Sequence, residues 1–410
     1  MQRIQQAYLY VLFWVSPLAS LYYSILSFKY AYARWILILT ISFLGFNLIG
    51  EGDLSRYEQF FYSHGNETYK NLFENLINLK EGKFYVAFLS LFTSKIFPSH
   101  FFFMAILFFI YGYFLVHLIY EFYELLEEKL TRFELFFFWA FALYFSIRGT
   151  LSLPFYSGAL YFMYMLIKYL KTDKFYWLVL AVFCPLFHMG LALGLIVLPI
   201  YYFVRNRVFI NWAILVVFFI LGKTSFNQYL EKFASKNEGT LIEQKYNTYA
   251  SESGKQRLDE RYEMGEANSN WKLKILDNAR DLIWFCIPIG LIYLFFKKKD
   301  FEEDDFLYSL FNLTILLWSI VLLLTNVSNG IRFNIIFTFT GFGLFFMLYH
   351  RYYISKFFEI FSYFLTGLGL VFGIMSIVAY FRLIGLTFIT SDFPIQTIRY
   401  LLYPHESTPQ

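Results

Sequence analysis

Long runs of apolar residues are the feature of this sequence that most constrains its fold. A helix that crosses a bilayer needs about 20 apolar residues, because the hydrocarbon core is about 30 Å thick and the helix rises about 1.5 Å per residue. Such runs recur near residues 7–28, 35–50, 101–120, 134–150, 153–170, 208–222, 281–296, 306–325, 333–349 and 357–381. They predict an all-α, polytopic integral membrane protein with about 11–13 membrane helices.

The composition excludes several other classes of protein. Of the 410 residues, 58% are hydrophobic and 16% are charged, whereas soluble domains average about 25% charged residues. A water-soluble enzyme, a disordered protein and a disulfide scaffold are therefore excluded. The net charge of +4 is too small to indicate a nucleic-acid partner. Cys184 and Cys286 lie inside apolar runs and are interpreted as packing residues, so neither a metal nor a cofactor is expected.

Two apolar stretches do not have the length of a single crossing. Residues 175–204 form an uninterrupted stretch that is too long for one crossing and short for two, with Pro185, His188 and Gly190 at its middle. They predict a broken, re-entrant pair of half-helices that enters from one face and returns to it, which is tolerated where the backbone is buried in protein. Residues 84–97 are too short to cross and predict an interfacial or re-entrant helix.

The basic residues of the short loops set the predicted orientation, since Lys and Arg collect on the cytoplasmic side. One alternation places on that side Lys29, Arg34, Lys129, Arg132, Lys168, Lys171, Lys174, Arg205, Arg207, Lys297, Lys298, Lys299, Arg351 and Lys356. The N-terminus, the loop 51–83, the polar segment 223–280 and the turn 326–332 are then outside. The chain divides into an N-terminal bundle (1–222), a helical extracytoplasmic cap (223–280), and a C-terminal bundle with an outer-face tail (281–410).

Polar side chains at the outer ends of the spans are the candidate functional residues, because charges within a membrane are costly and usually functional. After the second span, Asp53, Tyr57 and Phe61 would share one face of a helix that begins at Asp53, with Arg56 beside them. The alternative is that Asp53 only caps this helix while Arg56 and Tyr57 lie among the lipid headgroups.

Four further candidates lie on the predicted outer side. Arg148 and Arg332 occupy short outer turns, and a guanidinium pairs with phosphate oxygens in a bidentate geometry. His188, at the apex of the re-entrant pair, is either a base or a phosphate ligand, or a histidine of the core. Arg280 is a weaker candidate, because charges commonly flank spans. Basic groups converging on one leaflet predict an anionic ligand such as a lipid-linked diphosphate.

Three stretches of this sequence are similar to a known family. Residues 50–61 read G-x-G-D-x-x-x-Y-x-x-x-F. Residues 147–193 run from Ile-Arg through a span and a basic turn to Phe-His followed by small and apolar residues. Arg332-Phe333 opens a late span. This order resembles the EpsG-type branch of the Wzy-like bacterial polysaccharide polymerases. The chain departs from the family where Gly149 replaces a common glutamine and Asn47 a frequent arginine.

The resemblance implies a glycosyltransferase of the bacterial inner membrane whose active site faces the periplasm. Its substrates would be undecaprenyl-diphosphate-linked oligosaccharides within the membrane lipid, and a chain-length regulator would be a further partner. The growing glycan would be transferred to the non-reducing end of a new lipid-linked repeat, with release of undecaprenyl diphosphate. The product would be an O-antigen, a capsule or another exopolysaccharide.

The same resemblance suggests roles for the candidate residues. Arg148 and Arg332 would hold the diphosphate, Arg56 and Tyr57 would bind sugar or phosphate, and either Asp53 or His188 would be the base.

Two other functions are alternatives for a chain of this composition. A flippase or transporter of lipid-linked oligosaccharides would have the same composition, but it should carry charges at mid-membrane depth on several spans. A ligase or a glycosyltransferase that uses a lipid-phosphate sugar would need the same leaving-group chemistry, and Glu51 with Asp53 would supply its acidic pair.

Overall fold

The computed structural model describes residues 2–47, 53–65, 67–78, 80, 82–126, 129–144, 152–224, 226–236, 243, 247, 271–324 and 330–384. Every regular element in these ranges is helical, and no strand occurs in them, which confirms the all-α class. The N-terminal helices are α1 (Gln2–Val15), α2 (Pro17–Leu26), α3 (Ala31–Asn47), α4 (Asp53–His64), α5 (Tyr69–Ile77), α6 (Phe84–Ile96), α7 (His100–Tyr123), α8 (Arg132–Leu143) and α9 (Leu153–Thr172).

The second part of the chain is built in the same way. Its helices are α10 (Tyr176–Ala181), α11 (Val197–Val204), α12 (Val208–Thr224), α13 (Phe226–Ser235), α14 (Trp271–Lys297), α15 (Asp305–Leu323), α16 (Asn334–Arg351) and α17 (Lys356–Ile384). A long 3₁₀ helix lies at Met189–Ile196, and shorter ones lie at Cys184–Leu186, Lys298–Asp300 and Gly330–Phe333. The helices α7, α14, α15 and α17 are long and apolar enough to cross a membrane, which confirms a polytopic membrane protein.

Local capping chemistry starts several of these helices. The Thr131 hydroxyl accepts from the Glu134 backbone N–H at 3.3 Å, and the Glu134 carboxylate accepts from the Thr131 N–H at 2.6 Å. This reciprocal capping box begins α8. At α15 the Asp304 carboxylate accepts from the Leu307 N–H at 3.0 Å. Both caps satisfy backbone donors that a helix leaves unpaired in its first turn.

The first predicted span, residues 7–28, is a helical hairpin. Ser16 breaks the helix with φ −149° and ψ 88°, and Pro17 starts α2 at the position where its missing N–H costs nothing. The Tyr8 and Tyr23 rings lie 6.2 Å apart, although one straight helix would separate them by about 22 Å. The prediction of a single crossing is therefore wrong. The hairpin returns the chain, so it also removes the basis for placing the N-terminus on the opposite side from Lys29.

Residues 175–204 form the predicted re-entrant pair, here called the re-entrant hairpin. It consists of α10, two 3₁₀ helices and α11. Its two ends are held together by an ion pair between the Arg205 guanidinium and the Asp173 carboxylate. Both residues adopt positive φ, 45° and 53°, at the points where the chain enters and leaves. The segment thus begins and ends on the same side, as the sequence predicts.

Charged residues from distant parts of the chain meet at one end of the helices, here called the basic end. Its members are Glu121, Glu124, Lys168, Lys171, Asp173, Arg205, Asp304 and Arg351. Lys168 and Lys171 contact the buried Glu121 carboxylate at 2.6 and 2.7 Å. A hydrogen bond from Lys171 lowers the pKa of Glu124, which follows α7. Arg351 donates to the Asp304 carboxylate at 2.6 Å and to the Leu125 carbonyl at 2.8 Å. Four of the loop cations predicted to share one side, Lys168, Lys171, Arg205 and Arg351, therefore lie at this end.

The short helix α6 does not reach the basic end. It packs parallel to α4, with Lys83 beside Tyr57 near the starts of the two helices and the Ser94 hydroxyl donating to the Gly65 carbonyl at 3.0 Å at their ends. After α6 the chain turns directly into the start of α7 at His100, the end of α7 opposite Glu121. This placement agrees with the predicted re-entrant or interfacial helix.

The predicted extracytoplasmic cap is described only in part. The sequence predicts helical runs in this segment at 228–233 and 255–266, and the first of them lies within α13. The other expected run, 255–266, lies outside the described residues. Helix α14 already includes residues 271–280, and its buried Leu276, Ala279 and Ile283 form a stripe at helical spacing. Residues 271–280, predicted as part of the cap, therefore belong to the helix that enters the membrane.

Candidate functional site

The tip of the re-entrant hairpin brings two predicted site residues together. The His188 ring lies edge-to-face on Phe155, with centroids 5.5 Å apart. Phe155 also contacts the Phe333 ring at 5.8 Å, and the Arg332 guanidinium carbon lies 5.9 Å from the Phe155 centroid. These four residues are here called the His188–Arg332 cluster. Phe155 is in the first turn of α9, so the cluster lies about 24 Å from Lys171 along that helix.

Two glycines allow the hairpin to approach its neighbours closely. A Cβ at Gly158 of α9 would lie 2.7 Å from the Phe187 Cβ and would overlap the Leu191 side chain. A Cβ at Gly194 would lie 3.2 Å from the Phe333 ring. The hairpin is therefore seated against both α9 and the turn that carries Arg332. This packing places His188 and Arg332 on the same aromatic ring.

Replacing Gly158 with alanine should lower the stability of the fold. The added methyl group has no space between α9 and the hairpin, and overpacking of this kind costs about 1–3 kcal/mol. We expect a lower Tm in a thermal unfolding measurement on the detergent-purified protein. Gly367→Ala is the matched control, because a Cβ there meets nothing within 4 Å. Equal Tm values for the two variants would contradict the close seating of the hairpin.

Hydrogen bonds fix the start of the long 3₁₀ helix at the hairpin tip. His188 is its N-cap, and the His188 Nδ1 accepts from the Gly190 N–H at 3.1 Å. The Met189 N–H donates to the Gly82 carbonyl at 3.1 Å, and the Leu191 N–H donates to the His188 carbonyl at 2.9 Å. The bond to Gly82 joins the tip to the residues just before α6.

The face of α4 that carries Tyr57 and Phe61 lies close to the hydrogen bond between Met189 and Gly82. Helix α4 begins at Asp53, as predicted, and its Tyr57 and Phe61 are both buried. The Lys83 ammonium lies 5.6 Å from the centre of the Tyr57 ring. Arg56 is exposed on the same helix, and the Asp53 side chain lies outside the described residues. Tyr57 therefore approaches the His188–Arg332 cluster through Lys83 and its neighbour Gly82.

Lys83 and Phe155 contact candidate residues but are not among those that the sequence predicts. Lys83 could have been noticed as a cation placed directly before an apolar segment too short to cross. Phe155 carries no such signal, because it is one phenylalanine among 55. Its importance comes only from the three side chains that meet on its ring.

The two described candidate arginines of the C-terminal half differ in their partners. Arg280 donates to the Asp277 and Asp281 carboxylates at 2.7 and 2.8 Å, so its charge is compensated within its own helix. Arg332 is half-buried, and among the described residues no carboxylate lies within ion-pair distance of it. Burial of an unpaired cation is costly. The Arg332 position is therefore suited to an anion that the described residues do not supply.

Arg148 lies outside the described residues, in the segment 145–151. The described residues at the two ends of this segment lie close to other candidate residues. Tyr144 accepts a hydrogen bond from the Trp284 indole at 3.0 Å, and the Trp284 ring lies 4.7 Å from the Arg280 guanidinium carbon. At the other end, Ser152 leads into α9 close to Phe155. Arg280 itself makes no contact with the His188–Arg332 cluster within the described part of the chain.

The arrangement places a guanidinium and an imidazole on one aromatic ring, and groups of these two kinds commonly bind anions. Within the described ranges, no group of three or more His, Cys, Asp or Glu side chains is placed to hold a metal ion.

No curated protein and no solved structure matches the sequence significantly. The model of the EpsG family matches residues 30–383, a range that includes α4, the re-entrant hairpin and Arg332. Because this match covers most of the chain, the protein belongs to the EpsG family of Wzy-like polysaccharide polymerases.

Proposed function

We propose that the protein joins undecaprenyl-diphosphate-linked oligosaccharide repeats at the outer leaflet of the bacterial inner membrane. The growing glycan would pass from its lipid carrier to the non-reducing end of a new lipid-linked repeat. Membership in the EpsG family supports a polysaccharide polymerase in general. The lipid carrier, the leaflet and the periplasm-facing site are the parts that the proposal adds.

The observation that carries the proposal is the half-buried Arg332 without a carboxylate partner among the described residues. At the basic end, in contrast, Lys168, Lys171 and Arg205 are paired with carboxylates. An enzyme that releases a lipid diphosphate needs positive charge where the leaving group develops its negative charge. Arg332 meets that need at the end of α9 opposite the basic end.

The reaction can be written with the groups of this chain. A hydroxyl oxygen of the acceptor sugar forms a bond to the anomeric carbon of the donor. The bond from that carbon to the diphosphate oxygen breaks, and its electron pair leaves with undecaprenyl diphosphate. Arg332 would stabilise that charge together with Arg148. The hydroxyl proton passes to a base, for which the sequence offers Asp53 or His188, while Arg56 and Tyr57 would contact sugar or phosphate.

Deletion of the gene in its host, followed by electrophoresis of the surface glycans, tests this function. Loss of the long ladder with retention of the single-repeat glycan is the expected result. Loss of every repeat would instead indicate a transporter of lipid-linked oligosaccharides. Retention of the free ladder with loss of its attachment to an acceptor would indicate a ligase. An unchanged ladder would contradict the proposal.

A further inference from the structure

The first backbone N–H groups of the 3₁₀ helix at the hairpin tip already donate to acceptors within the protein. The first three N–H groups, those of Met189, Gly190 and Leu191, donate to Gly82, to the His188 ring and to the His188 carbonyl. An anion at this tip therefore cannot be held by these backbone N–H groups. Side chains have to supply the donors, and the tip contributes the His188 ring.

The bond from Gly190 determines which nitrogen of that ring carries hydrogen. A backbone N–H can only donate, so the His188 Nδ1, 3.1 Å away, must present its lone pair. A neutral imidazole then carries its hydrogen on Nε2, because the two nitrogens of the neutral ring have opposite roles. Protonation of Nδ1 would place two N–H groups head to head and break the cap.

His117 provides the contrast within the same protein. Its Nδ1 lies 2.9 Å from the Tyr113 carbonyl oxygen. A carbonyl oxygen can only accept, so there Nδ1 carries the hydrogen and Nε2 has the lone pair. The ring of His117 is thus in the opposite tautomer when neutral. Local backbone geometry, not residue type, decides what each histidine can do.

We propose that His188 is a hydrogen-bond donor to the lipid diphosphate and is not the base of the reaction. Its Nε2–H and the Arg332 guanidinium would bind oxygens of the same diphosphate, since both side chains contact the ring of Phe155. The hydroxyl proton then passes to another group, for which Asp53 at the start of α4 is the remaining candidate. This inference rests on the proposed function, because it names the role of one residue in that reaction.

Substitution of His188 with glutamine or with asparagine distinguishes the role of Nε2 from that of Nδ1. The glutamine amide reaches approximately the place of Nε2 and can donate there, whereas the shorter asparagine can replace only the Nδ1 acceptor. A donor to a charged group contributes about 10- to 100-fold in rate. We expect His188→Gln to polymerise within about tenfold of the wild type, and both His188→Asn and His188→Ala to lose about 100-fold. His117→Gln is the matched control and should leave the rate unchanged.

The measurements are the rate of polymerisation of a lipid-linked repeat by the purified protein and the affinity of each variant for undecaprenyl diphosphate. Weaker binding by the asparagine and alanine variants, with binding restored in the glutamine variant, supports the donor role. Wild-type affinity in all three variants together with equal loss of rate would overturn it and make His188 the base, while leaving the proposed function intact. A wild-type protein that binds the diphosphate through His188 but does not polymerise would overturn the proposed function alone. Absence of both activities would overturn both.

Discussion

Replacement of Arg332 with alanine is expected to lower the rate of glycan polymerisation by about 10²- to 10³-fold, the usual effect of removing a group that stabilises developing negative charge. The guanidinium is half-buried and has no carboxylate partner among the described residues, so no internal ion pair is broken by its removal. The amount of folded protein in the membrane should therefore stay close to that of the wild type. The rate is measured with purified protein and a lipid-linked repeat.

Two further variants show whether geometry or charge alone matters at this position. Arg332→Lys keeps the charge but loses the planar fork that pairs with two phosphate oxygens, and it should recover only part of the rate. Arg207→Gln removes a cation from an exposed position next to Arg205 of the basic end and should leave the rate unchanged. Wild-type rates in Arg332→Ala would eliminate Arg332 from the site.

Replacement of Glu121 with glutamine is expected to lower the free energy of unfolding by about 3 kcal/mol, because removing one partner of a buried ion pair leaves the other charge uncompensated. The Glu121 carboxylate is 3% exposed and contacts both Lys168 and Lys171. Lys171 keeps its second partner, Glu124, so Lys168 accounts for most of the loss. Thermal or denaturant unfolding of the detergent-solubilised protein measures the effect.

Glu124→Gln is the matched control at the same end of the protein. Its carboxylate is 51% exposed, and exposed ion pairs contribute at most about 1 kcal/mol. If the two variants lose the same stability, burial of the Glu121 pair is not the cause. The polymerisation rate of properly folded Glu121→Gln should match the wild type, because the His188–Arg332 cluster lies at the opposite end of α9.

The parts of the fold that sequence could predict are those set by length and charge. Four long apolar runs became α7, α14, α15 and α17, and the re-entrant hairpin followed from a run of intermediate length with Lys174 and Arg205 at its two ends. The sequence does not predict the hairpin of α1 and α2, because Ser16 and Pro17 lie inside an apolar run that is long enough for one membrane crossing. A proline at a possible first helical position was the available signal.

For the candidate site, the sequence predicts contacts between residues on one helix but not contacts between distant segments. Arg280 and Arg332 both lie at the ends of apolar spans, and only their partners distinguish them. The partners of Arg280 lie three residues before it and one residue after it on the same helix, so this compensation was readable from the sequence. The contact of His188 and Arg332 with Phe155 was not, because it depends on how three distant segments pack.

The re-entrant hairpin contacts Gly82, which precedes it in the chain, and the turn that carries Arg332, which follows it. These contacts can form only in that order during synthesis. The segments enter the membrane from the N-terminus onwards, so Gly82 is in place before the hairpin arrives and takes its bond from Met189. Gly194 stays without its Phe333 neighbour until much more of the chain has been made. Contacts so distant in sequence form late. A nascent chain therefore cannot assemble this cluster before Arg332 has left the ribosome.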